Sequence, residues 1–259
     1  MKLKLATLIA GALLAGQATA QDLSLRMGNE GTFPPFSMTN PDGSLTGLEP
    51  DLARELCTRL EAECDLQAYE FKALLPALMT NRIDIIVTQL TPKPERLENT
   101  EFTDPILTNP TDFVAPTDWD GTLDAEGLDG VTIGAIKGAW FLQPLQEAAP
   151  NATITQYDNL NQIALDLQAG RIDIAAGGRI SWARKFTDSD MGDSYELLDN
   201  TLFPRDDEGR SWAVAKGNVE LRDKVNAALE DIFADCTYTE IRKQYIPVTV
   251  SPREPESCL

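Results

Sequence analysis

"NRIDIIVTQLTPKPERLENTEFTDP" (residues 81–105) decides the fold. An apolar run after Arg82 ends in the polar residues Gln89 and Thr91, two prolines then break the chain, and one arginine, Arg96, stands five residues past the threonine. The residues before it, "LLPALMTNR" (74–82), read as a helix, so the stretch is a helix feeding a short strand with a polar end. The same order returns in "LQAGRIDIAAGG" (167–178): a leucine, a helix end, Arg-Ile-Asp-Ile, and a strand end of small residues. Two such units predict two similar α/β lobes.

Working outward, "LSLRMGNEG" (23–31) reads as a strand entering a loop. "PDLARELCTRL" (50–60) is an amphipathic helix, with Leu52, Leu56 and Leu60 on one face. A polar, turn-rich segment (115–130) precedes the strand-like "VTIGAIKGAWF" (131–141), and "SWAVAKG" (211–217) is a further strand before a long helix from about Glu220 to Tyr245. Strands alternating with helices predict an α/β architecture with largely parallel sheets. No low-complexity tract interrupts the chain.

The first twenty residues carry Lys2 and Lys4, an apolar run and Ala18-Thr19-Ala20, the pattern of a signal peptide cut before Gln21. No cysteine follows to accept a lipid anchor, and no later segment approaches the roughly 18 apolar residues of a membrane span. The expectation is a soluble, exported, periplasmic protein. Without Lys2 and Lys4 the formal charge moves from -19 to -21, a sign that repels phosphate backbones and makes nucleic acid a poor partner. The chain has no histidine, which excludes Ser-His-Asp and Cys-His catalysis and the commonest transition-metal ligand. No cofactor or metal is expected.

Four cysteines in an exported chain point to two disulfides. In an unbroken helix Cys57 and Cys64 would stand about 10 Å apart along the axis, too far to bond. If they pair, the helix must end near Leu60 and turn back through "EAEC". Cys236 and Cys258 are the remaining couple, and would tie the C-terminal tail to the last long helix.

These blocks, in order, resemble the periplasmic solute-binding proteins of polar amino-acid ABC importers. The resemblance rests on "GTFPPFS", "GSLTGLEPDLARELC", the Cys57/Cys64 pair, "ALLPALMTNRIDIIVTQLTPKPER", "FTDP", "LDGVTIGAIKG", "LQAGRIDIAAGG" and "NAALEDIFADCTYTEIRKQYIP". It implies two lobes, 21–112 with 211–259 and 113–210, joined by hinge strands near Asp112–Ala115 and Arg210–Val214. Ligand would sit in the cleft between them, and closure would bury it.

By the same resemblance Thr91 and Arg96 grip a ligand carboxylate, a task for which the planar guanidinium fork is suited. The alternative for Arg96 is an ion pair with a surface carboxylate such as Glu98. Phe33 and Phe71 match aromatic walls, while Phe36 reads as core. Gln89 could hydrogen-bond ligand, and Glu30 matches an acidic position that helps bind a cationic group or else is an exposed loop residue. Relatives that bind ordinary α-amino acids place an aspartate after the second Arg-Ile-Asp-Ile strand to receive the α-ammonium. Here Gly177 and Gly178 stand there, followed by Arg179. Ala139 and Trp140 replace small hydroxylated residues, and a tryptophan there would narrow the pocket or face a cation. Lys137 and Arg179 favour an anionic ligand if they face the cleft, and are solvated surface otherwise.

Two ligand classes follow. One is a carboxylate without a free primary α-ammonium, held among Phe33, Phe71 and Trp140; the other is an ordinary amino acid whose ammonium has moved to Glu30. The function expected is non-catalytic capture of a small carboxylate-bearing solute by a monomer that delivers it to an ABC permease in the inner membrane. Alternatives are a cyclohexadienyl dehydratase-like enzyme, for which the cleft offers Glu30 as its obvious proton donor, and a ligand-sensing periplasmic protein.

Overall fold

The computed structural model describes residues 23–203 and 209–259, so the expected signal sequence and the mature start at Gln21 lie outside the described residues. Ile85, Ile86 and Val87 are all buried, the pattern of a strand covered on both faces. Their strand, Ile85–Leu90, is the centre of a five-stranded sheet ordered Glu63–Ala68, Ser24–Asn29, Ile85–Leu90, Ser211–Ala215 and Thr100–Phe102. A second sheet has the order Thr153–Tyr157, Thr132–Ile136, Ile174–Gly178, Thr111–Pro116 and Tyr195–Leu198. In each the first three strands run parallel and the last two are antiparallel additions. The sheets are therefore mixed, with a parallel core where helices return the chain. Flanking helices complete an α/β fold of two similar units, and a small three-stranded sheet (Thr32–Phe33, Ser37–Thr39, Leu45–Thr46) edges the first.

The helix Leu48–Arg59 buries Leu52 and Leu56 on one face and ends at Leu60. Glu61 then takes a left-handed conformation (φ 50°), and Cys64 lies in the strand that follows. That reversal brings the Cα atoms of Cys57 and Cys64 to 6.3 Å, and the disulfide forms. The long C-terminal helix is corrected: it is two helices, Val219–Ala234 and Thr237–Tyr245, separated at Cys236 with φ 72°. A residue in that conformation cannot continue a right-handed helix. Cys236 bonds Cys258 from this break, so the tail is tied to the joint between helices. Buried Arg242 and Glu254 reinforce it at 2.7 Å, with the Thr239 hydroxyl donating to Glu254 at 2.9 Å. Arg242 Nη1 also donates to Ile246 O at 3.0 Å, and the Val250 N–H donates to the other carboxylate oxygen at 3.4 Å, so both members of the buried pair have further hydrogen bonds.

The described connections between the two sheets include 103–110 and, ahead of Ser211, residues 209–210. They touch where Leu107 and Arg210 form an antiparallel bridge, with the Arg210 N–H donating to Leu107 O at 2.7 Å. This corrects the first expected crossing. Asp112–Ala115 is held within the second sheet, its neighbours being Ala175–Gly177 on one side and Glu196–Leu198 on the other. The second expected crossing is met at its start, Arg210, whereas Ala213 and Val214 are likewise laddered on both edges, in the first sheet. Among the described residues no helix is long and apolar enough to cross a membrane.

Candidate functional site

Parallel strands end on a common side, and loops leaving those ends converge there. In this protein the ends of Ser24–Asn29, Ile85–Leu90, Thr132–Ile136 and Ile174–Gly178 surround a cavity of about 610 Å³, counted to its mouth. Glu30, Phe33, Phe71, Gln89, Thr91, Arg96, Trp140 and Gly178 all line it. Phe36 lies in the core beneath, fully buried and stacked on Phe33 at 6.1 Å.

Pro94 starts the short helix Pro94–Leu97, which presents Arg96 with 9 % of its surface exposed. Its Nη1 donates to Thr91 O at 3.1 Å within the first unit, and its Nη2 donates to Gly138 O at 2.9 Å across the cleft. The guanidinium lies 5.9 Å from the Phe71 ring centre. Lys93 bridges similarly, with its ammonium 4.3 Å from the centre of the Trp140 ring. The two units therefore meet over the cavity.

Glu30 sits in a loop shaped by Asn29, whose side chain donates to Val87 O at 2.5 Å and accepts from the Gly31 N–H at 3.0 Å. Gly31 has φ 62°, a conformation glycine adopts without strain. The Glu30 carboxyl is buried and accepts from the Thr88 hydroxyl at 3.0 Å. Burial pushes its pKa up to about 7, against the lowering effect of that hydrogen bond. Glu49 nearby is held well above the usual carboxylate range by burial and then by the charge of Glu30.

Lys137 and Arg179 do not line the cavity, which corrects the expectation that they face ligand. Side chains alternate along a strand; Ile136 points into the cavity, and Lys137 turns away to Asp158 at 3.0 Å. Asp158 also receives Lys72 from the other unit at 2.6 Å. Arg179 is drawn to buried Asp112 at 2.8 Å and to Asp199 at 2.7 Å.

Asn109, Trp182 and Arg210, not expected at the site, also line the cavity. Arg210 is buried at the crossing and donates Nη2 to Asn109 O at 2.6 Å. Asn109 and Trp182 cover the bare strand end. A Cβ at Gly178 would run into the Asn109 amide, and one at Gly177 would come within 2.9 Å of Trp182 Nε1. A side chain at either glycine would have to displace the Asn109 amide or the Trp182 ring. An aromatic four residues past Gly178 was a visible cue for Trp182; Asn109, brought by a crossing segment, had none.

Comparison with known proteins agrees with this geometry. The model of "Bacterial extracellular solute-binding proteins, family 3" matches residues 25–248. The chain is 30% identical to the L-arginine-binding protein of Pseudomonas aeruginosa over 96% of this chain and 98% of the relative. It is 30% identical to the histidine-binding periplasmic protein of Escherichia coli K12 over 88% and 89%. An ancestral arginine-binding protein bound to glutamine superimposes with a TM-score of 0.79 at 27% identity, covering 88% of this chain and all of that one. The same class of ancestral protein bound to arginine gives 0.78 at 28% identity over 86% of this chain and 98% of that one. The chain belongs to the bacterial extracellular solute-binding proteins, family 3, and is a binding protein rather than an enzyme.

Proposed function

We propose that this protein, released from its signal sequence before Gln21, captures a small carboxylate-bearing solute in the periplasm and delivers it as a monomer to an ABC permease. The two lobes divide at the paired crossings at Leu107 and Arg210, so the strand from Thr111 falls in the second lobe and not at the end of a first lobe reaching 112, and closure turns on those crossings. The observation that carries the reading is Arg96, a buried guanidinium beside Thr91 in a cavity between two units it already bridges. A carboxylate would take the fork in place of backbone carbonyls, with a gain that grows as closure removes water. Capture then shifts an open–closed equilibrium. Relatives named for arginine and histidine support an amino acid or amino-acid-like solute.

The missing aspartate favours a ligand without a free primary α-ammonium. Asn109, neutral and already bonded, fills that place, and an unpaired ammonium there would lose several kcal/mol. Phe33, Phe71 and Trp140 supply apolar walls, and Gln89 and Gly178 the polar margin. A second reading, an ordinary amino acid whose ammonium meets Glu30, has one observation in its favour: Glu30 is a buried acid in the same cavity. A thermal-shift screen of the mature protein against amino acids, organic acids and betaine-like solutes tests both, since ligand at 100 times Kd adds about 2.7 kcal/mol. Stabilisation by acids, cyclised or quaternary solutes supports the first reading; stabilisation confined to ordinary α-amino acids supports the second and contradicts the first.

A further inference from the structure

At the end of the strand Ile174–Gly178, hydrogen bonds run in one direction. The Ile180 backbone N–H can only donate, and it donates to Asn109 Oδ1 at 3.1 Å. This fixes the Asn109 amide, whose Nδ2 must then donate, and it does so to Gln89 Oε1 at 2.9 Å. Gln89 is fixed in turn, and its Nε2 is left buried with no acceptor. Trp182, 1% exposed, has its Nε1–H beside Gly177, also buried with no acceptor. Trp140, which also lines the cavity, has its Nε1 in the same state. Both amide oxygens at this strand end already accept a hydrogen bond, and the buried side-chain polar atoms without a partner here are N–H groups.

Buried polar groups are almost always paired, so unpaired donors collected at one cavity wall mark where a ligand must bring acceptors. An ammonium brings only donors, and it would leave all three N–H groups unsatisfied while adding its own. Resting on the reading that Arg96 holds the first carboxylate, we propose that Asn109, acting through Gln89 and together with Trp182, makes this strand end an acceptor-seeking second pole. The ligand class is an acid bearing a second carboxylate or carbonyl oxygen opposite its first carboxylate. Asn109 is a positioning residue: it sets which way the Gln89 amide faces.

The test is calorimetric titration of the mature protein with a matched five-carbon series: glutarate, its half-amide 5-amino-5-oxopentanoate, pentanoate, 5-aminopentanoate and L-norvaline. Succinate and adipate cover a shorter and a longer span. At least one dicarboxylate or the half-amide is expected to bind tenfold or more tighter than pentanoate, with both ammonium-bearing probes weaker still. Preference for the diacid over the half-amide assigns the second group as charged, and parity assigns a neutral carbonyl. In Asn109→Asp the carboxylate accepts from both Ile180 N–H and Gln89 Nε2, turning Gln89 Oε1 outward. The affinity ratio of diacid to 5-aminopentanoate should then fall at least tenfold. Trp182→Phe keeps an aromatic side chain but removes the N–H, and should weaken the diacid at least fivefold more than it weakens pentanoate, which serves if Asn109→Asp misfolds. Pentanoate, 5-aminopentanoate or norvaline binding as tightly as every diacid overturns the inference, as does an unchanged ratio in folded Asn109→Asp, or failure of every probe to bind. Arg96→Ala separates the parent reading: if it binds the preferred probe unchanged, the carboxylate role of Arg96 fails, while the order of probes still judges the second pole.

Discussion

The two Arg-Ile-Asp-Ile strands are built alike and end differently. In the first, Asp84 accepts the Arg26 N–H at 2.9 Å and returns its own N–H to Arg26 O at 2.7 Å. In the second, Asp173 accepts the Thr132 N–H at 2.7 Å and returns its own to Thr132 O at 2.9 Å. The first isoleucine of each Arg-Ile-Asp-Ile motif, Ile83 or Ile172, lies just before the strand and over a glycine of the neighbouring strand, Gly28 or Gly134, where a Cβ would collide with it. Up to this point one structural rule serves both units. Beyond it the first strand carries its own polar groups, Thr88, Gln89 and Thr91. The second carries Gly177 and Gly178 and takes its polarity from elsewhere, from Asn109 at the crossing and Trp182 in the next helix. The shared part makes the fold, and the divergent ends make the site.

The largest break in that comparison should come from the polar first end. Arg96→Ala should weaken ligand binding by about a hundredfold or more, within the roughly 2–5 kcal/mol of losing a buried charge partner, while the circular dichroism spectrum stays unchanged. Unaltered affinity in titration would remove Arg96 from the carboxylate role.

Glu30, on the same side, should show itself through pH. Its folded-state value near 7 lies above the ordinary 4.5, so the fold favours the protonated form. That contribution is complete below about pH 4.5 and is lost as pH rises through about 7. Glu30→Gln should therefore match the parent in thermal stability near pH 4.5 and exceed it at pH 8, by up to ~3 kcal/mol. Equal curves across that range would contradict the buried state of this carboxyl.

The bare second end is tested by filling it. Gly178→Asp should lower stability by ~1–3 kcal/mol because the new side chain overlaps Asn109. Pairing it with Asn109→Gly should recover most of that loss in denaturant titrations. A Gly178→Asp protein as stable as the parent would show that the glycine is not required by packing.

The smallest effect belongs to the contact across the cleft. Lys72 and Asp158 are 45% and 30% exposed, so their 2.6 Å pair is worth ~0–1 kcal/mol. Lys72→Ala should change affinity by less than about fivefold, with the effect shrinking further in high salt. A larger loss would mean that this pair governs closure.

Much of the fold was legible because it follows from periodic burial. The repeated strand, the helix carrying Leu52 and Leu56, and the turn needed by Cys57 and Cys64 are local consequences of local residues. The break at Cys236 was not legible, because its left-handed backbone accompanies a bond to Cys258, far along the chain. Residues next to strand ends were legible as cavity lining for the same local reason, as Glu30, Gln89, Thr91 and Gly178 show. Lys137 and Arg179 failed because a charge near a strand end can turn either way; each turned to a carboxylate, Asp158 or Asp112. Asn109 and Arg210 were hidden because the crossing segments reach the site only in three dimensions.

The most direct measurement is a crystal structure of the mature protein with the solute that raises its melting temperature most. The account predicts a carboxylate on Arg96 and a ligand oxygen within hydrogen-bonding distance of Gln89 Nε2 or Trp182 Nε1. A primary ammonium nitrogen bound at Glu30, with those N–H groups facing no ligand oxygen, would contradict it.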